Sequence, residues 1–77
     1  MKFVKVYFIE GCPYCKEAKD FLKSKNIQFE EVDVEKNEEA AEDIIERTGQ
    51  SGFPIIEIDG ELVIGFDKEQ LEELLSR

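Results

Sequence analysis

The hydrophobic pattern of the first 34 residues changes its period twice, and this limits the fold more than any other feature of the sequence. Residues 3–9 are β-branched and aromatic with alternating apolar positions, which predicts a strand. Pro13 suits the first position of a helix that Asn26 can close in a left-handed conformation. Residues 29–34 predict a second strand. This order predicts a right-handed crossover between two parallel strands.

A second helix is predicted to begin after Asn37, whose side chain suits the cap position and precedes two acidic residues. Gly49 is expected to end this helix. Its inner face is predicted to consist of Ala41, Ile44 and Ile45.

The dipeptide Asp59-Gly60 predicts a two-residue hairpin turn between strands at residues 54–58 and 61–64. Asp67 and Gln70 resemble a capping box at the start of a last helix. The predicted order is therefore β-α-β-α-β-β-α. We expect an α/β fold in which a four-stranded mixed sheet is flanked by three helices, as a single domain over residues 1–77.

The charge of the chain excludes several classes of partner. The formal net charge is -9 and histidine is absent, so nucleic acid and anionic membrane surfaces would be repelled. No apolar run approaches the length of a membrane span. The apolar start is short, is interrupted by Lys5 and lacks a small-residue cleavage site, which argues against a signal peptide. We therefore expect a cytoplasmic protein.

Two cysteines, Cys12 and Cys15, are the only thiols of the chain. A disulfide between them would close a very short loop and add little stability, so metal binding or thiol chemistry is the better explanation. A C-x-x-C motif beside a βαβ pattern in a cytosolic protein predicts thiol–disulfide exchange. One alternative is a metal or iron–sulfur cluster shared by two chains, because structural zinc usually takes four Cys or His ligands. Another is a redox-inert acidic interaction domain.

The predicted helix start assigns different roles to the two thiols. With Pro13 as the first helical residue, Cys12 is the N-cap, where unpaired N–H groups and the helix dipole favour a thiolate. Cys15 follows one turn inside the helix, closer to the core. We therefore expect Cys12 to be the nucleophile and Cys15 the resolving thiol. Tyr14 between them is expected to be exposed, either contacting substrate or forming indifferent surface.

Basic residues accompany the cysteines. They make the start of this helix less negative than the molecule as a whole, but they equally fit the solvated face of a surface helix. The residues concerned are Lys16, Lys19, Lys23 and Lys25.

Two motifs resemble those of the glutaredoxin family. Cys12-Pro13-Tyr14-Cys15 matches the dithiol active-site motif, and Thr48-Gly49-Gln50-Ser51-Gly52-Phe53-Pro54 lies where glutaredoxins carry Thr-Gly-Gln-x-Thr-Val-Pro. The resemblance covers essentially the whole chain and implies a thioredoxin-like fold. It implies a cis peptide bond before Pro54 and a Phe53 backbone that pairs with an extended substrate segment.

The resemblance implies a thiol–disulfide oxidoreductase that acts as an electron carrier through Cys12 and Cys15. Such an oxidoreductase needs no metal and no tightly bound cofactor, and we expect the protein to be a monomer. The implied partners are disulfide-containing proteins, with glutathione as a candidate co-substrate. Pro13, Tyr14 and Lys16 belong to the implied active-site helix. The implied substrate-binding residues are Gln50, Gly52, Phe53, Pro54, Gly65, Phe66 and Asp67.

The sequence also departs from the glutaredoxin pattern, and Gly52-Phe53 stand where the second motif of the family has Thr-Val. Ile9 stands where the family often has a lysine. The family's Gly-Gly-x-Asp-Asp, which holds the γ-glutamyl end of glutathione, falls on Gly65-Phe66-Asp67-Lys68-Glu69. Gly65-Phe66 instead resembles the small redoxin that serves ribonucleotide reductase and is recharged by thioredoxin reductase. The sequence therefore leaves two candidate electron donors, glutathione and a flavoprotein reductase.

Overall fold

The structure is a computed structural model that describes residues 3–49 and 53–76. Its element order is β-α-β-α-β-β-α, as the sequence predicts. The elements are β1 (Val4–Phe8), α1 (Pro13–Ser24), β2 (Glu30–Asp33), α2 (Glu38–Thr48), β3 (Ile55–Ile58), β4 (Glu61–Ile64) and α3 (Lys68–Leu75).

The four strands form one mixed sheet in the order β2-β1-β3-β4. β1 pairs in parallel with β2 and antiparallel with β3, so that Val6 lies opposite Glu31 on one side and Ile56 on the other. The β3–β4 hairpin turns through Asp59 (φ 49°) and Gly60 (φ 89°), and positive φ at both positions is typical of a type I′ turn. Because β3 is antiparallel to β1, the last residues of β1 and the first residues of β3 lie at the same end of the sheet.

The larger core lies between the sheet and the two helices α1 and α3, on what we call the α1–α3 face. Leu22 of α1 and Leu71 of α3 are fully buried there against the alternate residues of β1 and β3. Burying one such side chain contributes about 1.5–3 kcal/mol. This face therefore fixes the position of α1, and with it the position of the cysteines.

The opposite face of the sheet is covered by α2 alone. Ile44 is fully buried there with Tyr7, Val34 and Ile55. The prediction that Ile45 belongs to this inner face is wrong, since 40% of it is exposed. Only a narrow stripe of the α2 surface contacts this smaller core. Because successive residues are about 100° apart around a helix, Ile45 points away from the core when Ile44 points into it.

The predicted helix ends are confirmed by backbone geometry. Asn26 (φ 59°) and Gly49 (φ 72°) both adopt left-handed conformations just after α1 and α2. The strands are shorter than predicted, since β1 and β2 each lose a residue at both ends and Pro54 precedes β3. No helix of the described residues is both long and apolar enough to cross a bilayer.

Candidate active site

Cys12 is the N-cap of α1. Its backbone is extended (φ -92°, ψ 110°), and its Sγ accepts a hydrogen bond from the backbone N–H of Cys15 at 3.2 Å. The Lys16 N–H donates to the Cys12 carbonyl at 3.3 Å and continues the helix. The Cys12 sulfur therefore lies among the unpaired N–H groups at the positive end of the helix dipole, where negative charge is stabilised.

Cys15 lies one turn inside α1 and is almost completely buried, with 2% of its surface exposed. Burial, and after it a hydrogen bond with Cys12, raise the pKa of its thiol to about 11, although a backbone hydrogen bond with Ile9 and the charge of Lys19 act in the opposite direction. Both cysteines are free thiols, and Cys12 is the more exposed of the two. The structure thus places the accessible sulfur of Cys12 at the N-terminus of α1 and the shielded sulfur of Cys15 one turn further into the helix.

Phe53, the residue before Pro54, also lies next to the Cys12 sulfur. The Phe53–Pro54 peptide bond is cis, as the resemblance implies. The Cys12 thiol points at the Phe53 carbonyl oxygen, with 3.9 Å between the two atoms. The Pro54 carbonyl accepts a short hydrogen bond from the Gly65 N–H at 2.7 Å, which ties this corner to the end of β4.

The turn from β4 into α3 together with the first residue of that helix, residues 65–68, is called here the β4–α3 turn. Gly65 has φ 80°, a conformation that disfavours other residues. Phe66 is half-buried and packs edge-on against Phe21 with 5.8 Å between the ring centroids. Asp67 caps α3 by accepting a hydrogen bond from the Gln70 N–H at 3.2 Å. The Lys68 ammonium lies 6.0 Å from the centroid of the Phe21 ring.

A groove of about 620 Å³ opens beside the cysteines, and we call it the cysteine groove. Phe8, Cys12, Cys15, Lys16 and Lys19 line it together with the loop of residues 9–11.

Lys19 is held in the cysteine groove by two contacts from other elements. Its Nζ lies 3.1 Å from a carboxylate oxygen of Glu31 and 4.1 Å from the centroid of the Phe8 ring. Neither Glu31 nor Phe8 is among the site residues that the sequence predicts. The position of Lys19, four residues after Cys15 on one helix face, is the signal in the sequence that points to it.

The loop after β1 is fixed from the side of β2. The Glu10 N–H donates a hydrogen bond to the Glu35 carboxylate at 3.2 Å, and the Lys36 ammonium lies 4.0 Å from the carboxylate of Glu10. These contacts hold the chain just before Cys12.

The remaining predicted site residues fall into two groups. Tyr14 is 61% exposed and Lys16 is exposed, both on the first turn of α1. Gln50 and Gly52 lie outside the described residues, as does Ser51 between them. Within residues 3–49 and 53–76 no three Cys, Asp or Glu side chains form a group suited to a metal ion.

Comparisons with known proteins agree with this geometry. The family model described as Glutaredoxin matches residues 3–63. An uncharacterized glutaredoxin-like 8.6 kDa protein of Clostridium pasteurianum is 39% identical over 74 residues, which cover 96% of this chain and 99% of that protein. Glutaredoxin 3 of Escherichia coli K12 is 39% identical over 67 residues, covering 87% of this chain and 81% of the relative.

The fold is shared with solved structures as well. The crystal structure of a glutaredoxin from Archaeoglobus fulgidus has a TM-score of 0.88 at 27% identity, and the match covers 100% of this chain and 89% of that one. The family model spans well over half of the sequence. The chain therefore belongs to the glutaredoxin family and has the thioredoxin-like fold.

Proposed function

We propose that this glutaredoxin-family redoxin is a thiol–disulfide oxidoreductase that reduces protein disulfides or glutathione mixed disulfides. The observation that carries the proposal is the pairing of an accessible N-capping sulfur, Cys12, with the buried thiol of Cys15 directly behind it. The helix terminus stabilises negative charge on the first sulfur, whereas burial keeps the second protonated at neutral pH.

In the first step the Cys12 thiolate attacks one sulfur of the substrate disulfide. The substrate S–S bond breaks, a new S–S bond joins Cys12 to the substrate, and the other substrate sulfur leaves as a thiolate that takes a proton from water. Cys12 is the attacking residue because its sulfur is the more exposed of the two and lies 3.9 Å from the Phe53 carbonyl oxygen.

In the second step Cys15 loses its proton and attacks the Cys12 sulfur. The bond between Cys12 and the substrate breaks, the substrate leaves as a second thiol, and a Cys12–Cys15 disulfide remains. Two electrons have passed to the substrate. The backbone hydrogen bond from Cys15 to the Cys12 sulfur, at 3.2 Å, keeps the two residues in reach of each other. The cycle uses neither a metal ion nor a bound cofactor.

The substrate segment is proposed to lie against Phe53. The backbone at Phe53 borders the attacking sulfur, so an extended chain paired with it would carry its disulfide to Cys12. Pro54 and Gly65 support this edge through their 2.7 Å hydrogen bond. Tyr14, with 61% of its surface exposed, is a further available apolar contact on the first turn of α1. Gln50 and Gly52 remain proposed contacts from the resemblance.

Either glutathione or a flavoprotein reductase of the thioredoxin-reductase type returns the electrons. Phe66 and Lys68 occupy positions where a glutathione-binding pattern has Gly and Asp, which favours the flavoprotein. Re-reduction of the oxidised protein by glutathione in one reaction, and by thioredoxin reductase with NADPH in another, tests this choice. Efficient turnover with glutathione alone would contradict the flavoprotein assignment.

We also propose that the protein works as a monomer in the cytoplasm, where thiols are kept reduced. Light scattering and metal analysis of anaerobically purified protein test the monomer. A coloured dimer containing iron or zinc would instead support the shared-cluster alternative.

The nucleophile is tested by Cys12→Ser, with reduction of insulin disulfides by dithiothreitol as the assay. We expect the protein-dependent rate to disappear, because serine supplies no thiolate. The matched control is Ser24→Cys, which restores the thiol count at the far end of α1 in the Cys12→Ser background. Activity in the single variant, or recovery in the double variant, would contradict the role given to Cys12.

A further inference from the structure

Lys19 is unusual among the lysines of α1 because its ammonium has a fixed place. Only 22% of the side chain is exposed, the Nζ lies 3.1 Å from Glu31, and the ring of Phe8 lies under it at 4.1 Å. An exposed lysine loses much rotamer freedom when it is held, so a single surface ion pair seldom fixes one. Here the carboxylate and the aromatic ring act together.

Cys15 lines the same groove as Lys19, and its chemistry poses a problem. Cys15 is buried, yet it must become a thiolate to close the disulfide in the second step. The titratable groups that line the groove with it are Cys12 at the N-cap of α1, Lys16 and Lys19 on α1, and Glu10 on the loop after β1, while Glu31 of β2 is paired with Lys19. Cys12 is neutral once it is bonded to substrate, so it no longer opposes a second negative charge.

We propose that Lys19 is a positioning residue for the second step, in which its ammonium, held by Glu31 and Phe8, stabilises the Cys15 thiolate that displaces the substrate. This rests on the proposed two-step dithiol cycle. Lys19 lies four residues after Cys15, on the same helix face and in the same groove. The charge of Lys19 also lowers the pKa of Cys15 against the effect of burial.

The electron balance of the step is unchanged by Lys19. Cys15 gives its proton to water, its sulfur forms the bond to Cys12, and the substrate sulfur leaves with the electron pair of the broken bond. Lys19 transfers nothing and keeps its charge. Glu31 has two opposite effects, because it holds the ammonium in place but also neutralises part of its field.

The test separates the two steps with the aromatic disulfide 5,5′-dithiobis(2-nitrobenzoate), followed by stopped-flow absorbance at the wavelength of the released thiolate. Attack by Cys12 releases the first thionitrobenzoate. Attack by Cys15 on the mixed disulfide releases the second. The pH dependence of the second phase reports the deprotonation of Cys15.

In Lys19→Met we expect the second phase to slow about threefold at neutral pH and its pH profile to move to higher pH. A rise of about one pKa unit removes about tenfold of the thiolate, and the higher nucleophilicity of a more basic thiolate offsets part of that loss. Lys19→Arg should restore the wild-type profile. Lys23→Met is the matched control, because it removes the same charge from the exposed face of the same helix, about two turns beyond Cys15.

Glu31→Gln should have the opposite effect. The amide oxygen can still accept a hydrogen bond from Lys19, while the neutralising charge is gone, so the profile should move to lower pH and the second phase should quicken. A purely structural role would slow the second phase in both variants. Equal profiles for Lys19→Met and Lys23→Met, or a Glu31→Gln profile that is unchanged or raised, would overturn the proposal.

The same traces also test the cycle itself. If wild-type protein releases only one thionitrobenzoate per chain, Cys15 does not resolve the mixed disulfide and the proposed function fails. If both phases occur but the Lys19 variants leave the second one unaltered, the cycle stands and the role of Lys19 is rejected. Circular dichroism of each variant checks that the helix content of the protein is unchanged.

Discussion

The N-terminus of α1 carries the cysteines, and the β4–α3 turn is joined to the Phe53–Pro54 corner by the hydrogen bond of Gly65, but the two regions differ in how closely they follow the glutaredoxin pattern. At the start of α1, Cys12-Pro13-Tyr14-Cys15 agrees residue for residue, and the chemistry depends on helix geometry, backbone N–H groups and burial. At the β4–α3 turn only Gly65 is kept, while Phe66 fills the α1–α3 face and Lys68 carries the reverse charge. We infer that the reaction is maintained by the first region and partner choice by the second.

Removing the buried thiol should have the largest effect at the α1 terminus. In Cys15→Ser the second step has no nucleophile, so we expect the mixed disulfide with a substrate protein to accumulate. Mass spectrometry after mixing with a disulfide substrate should find nearly every chain joined to substrate through Cys12. In wild-type protein the Cys12–Cys15 disulfide should replace this adduct. Release of substrate from the variant at the wild-type rate would show that Cys15 is not the resolving thiol.

The unequal shielding of the two thiols should appear as a large difference in alkylation. Because burial raises the pKa of Cys15 to about 11, only about one thousandth of it is thiolate at pH 8. Iodoacetamide at that pH should modify Cys12 first, and peptide mapping should find Cys15 unmodified until the pH approaches that value. Equal labelling of both cysteines would remove the asymmetry on which their roles depend.

The same shift makes stability depend on pH. The unfolded chain loses the Cys15 proton near the ordinary value of 9.0, whereas the folded chain keeps it until about 11. Between these values the folded state binds more protons, so the free energy of unfolding falls as pH rises. Urea titrations at pH 8 and pH 11 should show a steeper loss for wild type than for Cys15→Ala. Burial also raises the pKa of Tyr7, and comparison of the two proteins cancels that contribution.

Local chemistry explains which parts of this comparison could be predicted from sequence. Pro13, Asn37 and Asp59-Gly60 each determine the conformation of their own neighbourhood, so the cap, the helix start and the hairpin turn follow without the rest of the fold. Ile45 was misplaced because a helix's inner face depends on how it docks, which periodicity does not specify. The partners of Lys19 come from β1 and β2, far away in sequence. The cis bond before Pro54 followed only from the family resemblance.

The β4–α3 turn is tested directly by Lys68→Asp, which restores the acidic residue of the glutathione-binding pattern. We expect the KM for a glutathione mixed disulfide to fall about threefold to tenfold. The reason is that a lysine, which repels the charged group of the ligand or makes no contact with it, is replaced by a carboxylate that attracts it. An acidic residue also suits the first turn of α3, so the helix should not be weakened. Steady-state kinetics with a glutathionylated peptide provide the measurement.

Lys25→Asp is the matched control for Lys68→Asp. Lys25 also lies near the ring of Phe21, at 5.2 Å, but it follows the C-terminal end of α1, away from the cysteines. Lys25→Asp changes the net charge by the same amount as Lys68→Asp. If both variants alter the KM equally, the effect comes from overall charge, and the β4–α3 turn does not select the partner.

The smallest effect expected at the β4–α3 turn is the loss of its helix cap. Asp67→Ala removes the carboxylate that accepts a hydrogen bond from the Gln70 N–H at 3.2 Å, and Asn37→Ala removes the equivalent contact to the Ala40 N–H at 3.1 Å. Each should lower the free energy of unfolding by about 0.5–2 kcal/mol in urea titrations. The two caps differ in position, since Asp67 lies in the β4–α3 turn and Asn37 begins α2.

Kinetics should therefore separate two variants of similar stability. Asp67→Ala should change the KM for glutathione mixed disulfides as well as stability, because the cap fixes the turn that Gly65 ties to the carbonyl of Pro54 at 2.7 Å. Asn37→Ala should leave that KM unchanged. If both variants lose stability and neither changes KM, Asp67 acts only as a helix cap, and partner choice at the β4–α3 turn must then come from Phe66 and Lys68.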